Sequence, residues 1–216
     1  MSLKDYIREL RAIPTASLSD ALNQIDINGT LNVHFNRVLE GIRIVGPAVT
    51  VLDKYSNRRV PPIEAIEAID NAERGSVLVR AIEGGEACDI ALFGGLMALS
   101  SKVRGLEGAV MCGAIRDFRE IKDMGFQVFY RFLSPNTSIG RTEVKAVNVP
   151  IEYGGVRINP GDIVVGDDDG IVIIPRDRLA EVIERAKHID ELERREAEEI
   201  RRGRPFSQVI REYSRV

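Results

Sequence analysis

The residues best able to do chemistry lie in Cys112-Gly-Ala-Ile-Arg-Asp-Phe118. An apolar run, Gly108-Ala-Val-Met-Cys112, stops at Gly113 and delivers an adjacent Arg116–Asp117 pair. A strand of this kind ends either at a cleft or at a surface ion pair, and exposed ion pairs contribute little. At a cleft, Asp117 offers an oxygen ligand for a hard cation, and Arg116 a planar cation that can hold a substrate oxygen.

A second candidate is Phe93-Gly94-Gly95-Leu96-Met97. Two glycines at a strand-to-helix junction serve either a tight turn at positive φ or a close backbone approach to a ligand. The unpaired N–H groups that follow suit a carboxylate or phosphate. The pattern is neither GxGxxG nor a P-loop, so no nucleotide is implied. No Gly-rich cofactor loop with a downstream acidic ribose ligand is present, which argues against a methyltransferase. A third candidate is Glu193. Ile183, Ala186, Ile189, Ala197 and Ile200 recur at helical spacing, and Glu193 lies seven residues from both Ala186 and Ile200, on that apolar stripe. A carboxylate there needs a partner: an arginine of the same tail, a metal-bound water or a neighbouring subunit. The fourth is Gly166-Asp-Asp-Asp-Gly170, either a cation site or a tight hairpin with Asx-turn chemistry. The flanking apolar strands favour the hairpin, with Gly170 at positive φ.

Positioning these residues requires a particular set of elements. The pattern predicts helices over 4–12 and 15–24, the second with Thr15 or Ser17 as N-cap. A β-rich stretch, Val38–Leu52, is expected to break at Gly46-Pro47, and a helix over 62–72 to close with Gly75 in the C′ position. A strand over 76–82 and a loop over 83–88 follow. Ile90–Phe93 reads as a strand, Leu96–Arg104 as a helix ended by Gly105, Ala109–Ile115 as a strand, and Phe118–Met124 as a turn or two of helix ended by Gly125. That order is a βαβ layer, in which Gly94–Met97 and Arg116–Asp117 follow neighbouring strand ends and can face one crevice. Beyond Val128 the short strands 144–149, 156–158, 162–165 and 171–174 are separated by Gly/Pro/Asp turns, which predicts antiparallel pairing. A long charged helix over 178–204 ends the pattern.

Composition bounds the function. The 216 residues suit one domain, and 44% apolar with 29% charged residues is ordinary for a globular chain. A net charge of −3 argues against a nucleic-acid partner. No apolar stretch of membrane-spanning length occurs, and the opening Met1-Ser-Leu-Lys-Asp-Tyr is no signal peptide, so a cytoplasmic protein is expected. Cys88 and Cys112 show no metal-ligand spacing and read as small core residues. With only His34 and His188, a His-based zinc site or a Ser-His-Asp triad is disfavoured. None of the six lysines lies in an apolar strand that would depress its pKa, which disfavours Schiff-base chemistry.

The runs FGGLMALSSKVRGLEGAVMCGAIRD (93–117) and INPGDIVVGDDDGIVIIP (158–175) resemble the RraA-like family, which includes 4-hydroxy-4-methyl-2-oxoglutarate / 4-carboxy-4-hydroxy-2-oxoadipate aldolases of class II that also decarboxylate oxaloacetate. The resemblance spans most of the chain and implies a single RraA-like domain over 1–216. Its fold would be α/β, a compact α/β/β sandwich of swivelling-domain type with a long C-terminal helix, assembling as homotrimers or dimers of trimers. It implies Asp117 as ligand of a divalent cation (Mg²⁺ or Mn²⁺) and Arg116 as the group that holds the keto oxygen of a small 2-oxo acid. The backbone of Gly94, Gly95, Leu96 and Met97 would hold the substrate carboxylate. An acidic residue from a neighbouring subunit's C-terminal region would act through metal-bound water, with Glu193 the candidate by offset. One departure stands out: such aldolases often carry Asp or Glu, which orients that water, where this chain has Gly95. The family also contains ribonuclease E inhibitors without aldolase activity, so a non-catalytic regulator is the rival expectation.

Overall fold

A computed structural model describes residues 2–213. Two helices, α1 (Leu3–Leu10) and α2 (Thr15–Asn23), precede strand β1 (Asn36–Arg37) and the long strand β2 (Ile44–Tyr55). Then come α3 (Ile63–Asp70), β3 (Val77–Ile82), β4 (Ala87–Phe93), α4 (Gly95–Arg104), β5 (Gly108–Ile115), α5 (Phe118–Asp123) and β6 (Val128–Leu133). The second half holds β7 (Thr142–Val147), β8 (Ile151–Tyr153), β9 (Val156–Ile158), β10 (Ile163–Gly166), β11 (Ile171–Ile174), α6 (Leu179–Arg201) and α7 (Phe206–Glu212).

The main sheet runs β1-β6-β5-β3-β2-β10-β11, with β4 beside β5 and β7 beside β2. Its centre is parallel and its second half antiparallel, as the two textures of the sequence require. Strand β5 shares one edge between two partners: Gly108–Met111 pair with β3, and Gly113–Ile115 pair with β4. Alternate residues of the central strands feed two cores. Leu78, Ile82, Met111 and Ile115 pack under the helices with Ala65, Ile69, Ala98 and Ile121. Val77, Val79, Val110 and Cys112 pack against Ile151, Ile158, Val164 and Ile173 of the strands that close over the opposite face. A third core sets α1, α2 and α6 on β10 and β11. Helix, sheet and second strand layer make the expected α/β/β sandwich, and burial on both faces explains why β3 and β5 are almost continuously apolar.

Several local expectations change. Strand β2 does not break at Gly46-Pro47. Pro47 occupies the last register position with β10, just before pairing with β3 begins at Ala48, so its missing N–H falls at a handover between partners. The cap of α2 is neither Thr15 nor Ser17: Pro14 holds the N-cap position, and the Asp167 carboxylate accepts from the Thr15 N–H (3.0 Å) and hydroxyl (2.6 Å). Helix α3 has Asn71 as its C-cap, and Gly75, at φ 86°, belongs to the turn before β3 rather than to C′. Strand β4 begins at Ala87, inside the expected loop, and leaves Cys88 exposed. Cys112 is a core residue as expected, and burial pushes its thiol up. The Gly166–Gly170 segment is a hairpin between β10 and β11: the Asp167 carboxylate accepts from the Asp169 N–H (3.1 Å), and Gly170 has φ 151°.

Candidate active site

The parallel pairing of β4 with β5 ends at Phe93 opposite Ile115, and the Arg116 N–H donates to the Phe93 carbonyl at 3.0 Å. Both chains leave the sheet there, so Gly94 and Arg116 emerge side by side. Helix α4 starts at Gly95, and its first turn presents N–H groups to the junction. The ladder begins with the Ala98 N–H donating to the Gly94 carbonyl (3.0 Å), which leaves the amides of Leu96 and Met97 without a helical acceptor. Leu96 is 82% exposed.

Asp117 sits in the left-handed region at φ 57°, ψ 35°, as N-cap of α5. Aspartate is among the residues that tolerate this conformation, which turns the carboxylate away from its own helix. Its Oδ2 accepts from the Gly95 N–H (3.0 Å) and lies 3.6 Å from Arg116 Nε. Its Oδ1 has no protein donor among the described residues. The Arg116 and Asp117 side chains are 44% and 42% exposed, so the pair is open to a ligand, and its own attraction is weak.

Neither glycine is required by φ. Gly94 has φ −150° and Gly95 is not among the positive-φ residues. A Cβ at Gly94 would sit 2.8 Å from Asp117 Oδ2 and 3.0 Å from Arg116 Nε. A Cβ at Gly95 would sit 2.7 Å from Glu120 Cδ, with Oε2 closer still. Bare backbone thus lets both carboxylates lie against the start of α4. Gly94–Met97, Arg116, Asp117 and Glu120 line one cavity of about 320 Å³, walled by Pro61, Pro62 and Ile66 on one side and Thr137–Ile139 on another. That volume lies at the small end of ligand pockets and suits a small acid. Larger hollows of about 610 and 870 Å³ lie elsewhere and contain neither Arg116 nor Asp117.

Under the floor lies a group that sequence reasoning missed. Arg80 is fully buried in β3 and makes a two-pronged pair with Asp53 of β2, Nε to Oδ2 at 2.6 Å and Nη2 to Oδ1 at 2.7 Å. Its Nη1 donates to the Leu92 carbonyl and lies 4.0 Å from Met97 Sδ. One guanidinium therefore ties β2 to β3, holds the end of β4 and touches the first turn of α4. A charge inside the apolar run Val77-Leu-Val-Arg-Ala-Ile82 was the available signal. Glu120 was missed as well, although it lies three residues beyond Asp117 at the start of a helix, on the same face.

Glu193 is not among the residues lining this cavity. It lies half-buried on α6, whose apolar face packs against α1, α2, β10 and β11. The buried face of α6 comprises Leu179, Val182, Ile183, Ala186 and Ile189, and continues to Glu196 rather than through Glu193 to Ile200, which is 39% exposed. The helix ends at Arg201, with the unexpected α7 packed behind it. Among the described residues no cluster of three or more His, Cys, Asp or Glu could hold a metal ion. No described helix is long and apolar enough to cross a membrane.

Comparison with known proteins places the fold in a family. The family profile RraA-like (Aldolase/RraA) matches residues 15–173. A Halalkalibacterium halodurans protein, provisionally named a 4-hydroxy-4-methyl-2-oxoglutarate aldolase, is 35% identical over 183 residues, covering 85% of this chain and 82% of its own. The crystal structure of an uncharacterised Pseudomonas syringae pv. tomato protein superposes with a TM-score of 0.82 at 32% identity, covering 95% of this chain and 96% of that one. Streptomyces coelicolor RraAS2, described as an unusual member of the RNase ES inhibitor RraA protein family, superposes with a TM-score of 0.78 at 26% identity, covering 88% and 94%. This chain belongs to the RraA-like, Aldolase/RraA family.

Proposed function

We propose that the protein is a divalent-metal-dependent lyase that cleaves a small 2-oxo acid to pyruvate. The substrates would be of the 4-hydroxy-4-methyl-2-oxoglutarate type, and oxaloacetate would lose CO₂ at the same site. The observation that carries this reading is the Arg116–Asp117 pair set against the open start of α4 in one small cavity. The donors fit a Mg²⁺ or Mn²⁺ ion: Asp117 Oδ1 is unengaged, a second carboxylate fills the space over Gly95, and such cations keep several waters. A bound cation would supply positive charge beside the keto oxygen.

The chain's own groups account for the rest. The amides of Leu96 and Met97, at the positive end of α4, hold the substrate carboxylate. The Arg116 guanidinium donates to the keto oxygen. When the bond beta to that ketone breaks, its electron pair becomes the enolate of pyruvate, and the negative charge grows on the oxygen Arg116 already holds. The other fragment leaves as a carbonyl compound or CO₂. Glu193 of a neighbouring subunit orients the water that takes the proton from the 4-hydroxyl in the retro-aldol reaction and delivers a proton to the enolate carbon, drawn from solvent when the fragment lost is CO₂. That role requires a neighbouring subunit, which a homotrimer or a dimer of trimers would supply. Light scattering on the purified chain should read three or six copies, and a monomer would remove Glu193 from the site.

Pyruvate release from oxaloacetate and from 4-hydroxy-4-methyl-2-oxoglutarate should exceed the rate with Mg²⁺ alone and fall to background in EDTA. A chain that releases no pyruvate from either substrate would instead be a regulator of the ribonuclease E inhibitor type. The likeness to RraAS2 favours that second reading.

A further inference from the structure

We infer that Glu120 replaces the carboxylate that related aldolases carry at the position of Gly95, so the cation site keeps its second acidic group but draws it from α5 instead of α4. The inference rests on the metal-dependent reading above. It starts from a placement: the Glu120 carboxylate occupies the space a side chain at 95 would enter. The Glu120 carboxylate lies over the Gly95 Cα, with Cδ 2.7 Å and Oε1 3.1 Å from where a Cβ would stand. No hydrogen bond or ion pair holds it there among the described residues, and the side chain is exposed. A flexible glutamate lying against backbone, with no partner, is in position to serve a ligand. The neighbouring glycine repeats the pattern, since a Cβ at 94 would meet Asp117 Oδ2. Asp117 and Glu120 therefore lie over consecutive residues of one helix start, three apart on the first turn of α5.

Charge points the same way. Arg116, Asp117 and Glu120 together carry a formal charge of minus one, which repels an acidic substrate. A divalent cation turns that to plus one, and a site with two carboxylates beside one arginine favours the ion over the empty state. The glycine at 95 is then no sign of a lost metal site. It is the space that the donor from α5 needs, and a carboxylate carried by residue 95 would be an alternative to Glu120 rather than an addition to it.

Mn²⁺ binding to the purified full chain, read by calorimetry or by electron paramagnetic resonance, tests this without reference to turnover. Glu120→Gln should weaken Mn²⁺ binding about tenfold or more, the usual cost of losing a supporting carboxylate. Gly95→Asp in the wild-type background should bind no more than about twofold tighter, because the two carboxylates compete for one place and only one of them can serve the ion. Gly95→Asp combined with Glu120→Ala should return to within a few-fold of wild type, a rescue that a merely structural glutamate would not produce. Mn²⁺ binding by Glu120→Gln within twofold of wild type overturns the inference. Asp117→Ala separates it from its parent: loss of binding there with none in Glu120→Gln leaves the metal site standing and removes only Glu120. A wild-type chain that binds no Mn²⁺ overturns both.

Discussion

Asp117→Ala should lower metal-dependent pyruvate formation on the order of a hundredfold or more while leaving the fold intact, because it removes charge aimed at the reacting oxygen. The structural cost is small. The side chain is 42% exposed, and its one hydrogen bond to protein, from the Gly95 N–H, is returned to water in the variant. Alanine at a left-handed position costs roughly 1 kcal/mol, so the melting temperature should drop by only a few degrees. Asp117→Asn sharpens the test: asparagine tolerates φ 57° and keeps an oxygen to face the Gly95 N–H, but carries no charge. Loss of turnover in both variants, with melting near wild type, would assign the defect to charge. Near wild-type turnover in Asp117→Asn would reduce Asp117 to an acceptor for the Gly95 N–H.

The part of this site that could be read from sequence is the part built by neighbours in the chain. Glycine punctuation and period mark β4, α4 and β5, and a βαβ unit sets its strand ends together whatever its partners are. Gly94–Met97 and Arg116–Asp117 therefore meet as expected. What was not legible depends on contacts distant in sequence or outside any periodic pattern. The carboxylate that satisfies the start of α2 comes from Asp167, 152 residues away. Strand β2 survives Gly46-Pro47 because two different strands relay its pairing, and no local rule counts partners. Positive φ at Gly94-Gly95 was a fair expectation from residue type. What lies over the two glycines instead is the ends of the Arg116, Asp117 and Glu120 side chains, contacts distant in sequence. The stripe on α6 fails in its last turns, where the buried residue is Glu196 and Ile200 is exposed, so apolar spacing there does not mark the buried face.

Arg80→Met should be the most destabilising single change near the site, at about 3–5 kcal/mol, or roughly 10 °C in melting temperature for a chain of this size. The cost does not measure what the ion pair contributes. It measures what is left behind: both side chains of the pair are fully buried, and without Arg80 the Asp53 carboxylate stays in the sheet with no counter-charge or donor. Replacing both, Arg80→Met with Asp53→Leu, should recover most of the loss, since a buried pair and a well-packed apolar pair differ little in net free energy. The double variant still lacks the donor to the Leu92 carbonyl, one residue before Phe93, and the contact with Met97. It should therefore melt near wild type yet show a raised KM for the 2-oxo acid, because the amides that hold its carboxylate start from that strand end. A single variant that costs less than about 1 kcal/mol would show that water reaches Asp53. A double variant with wild-type stability and wild-type KM would confine Arg80 to holding β2 against β3.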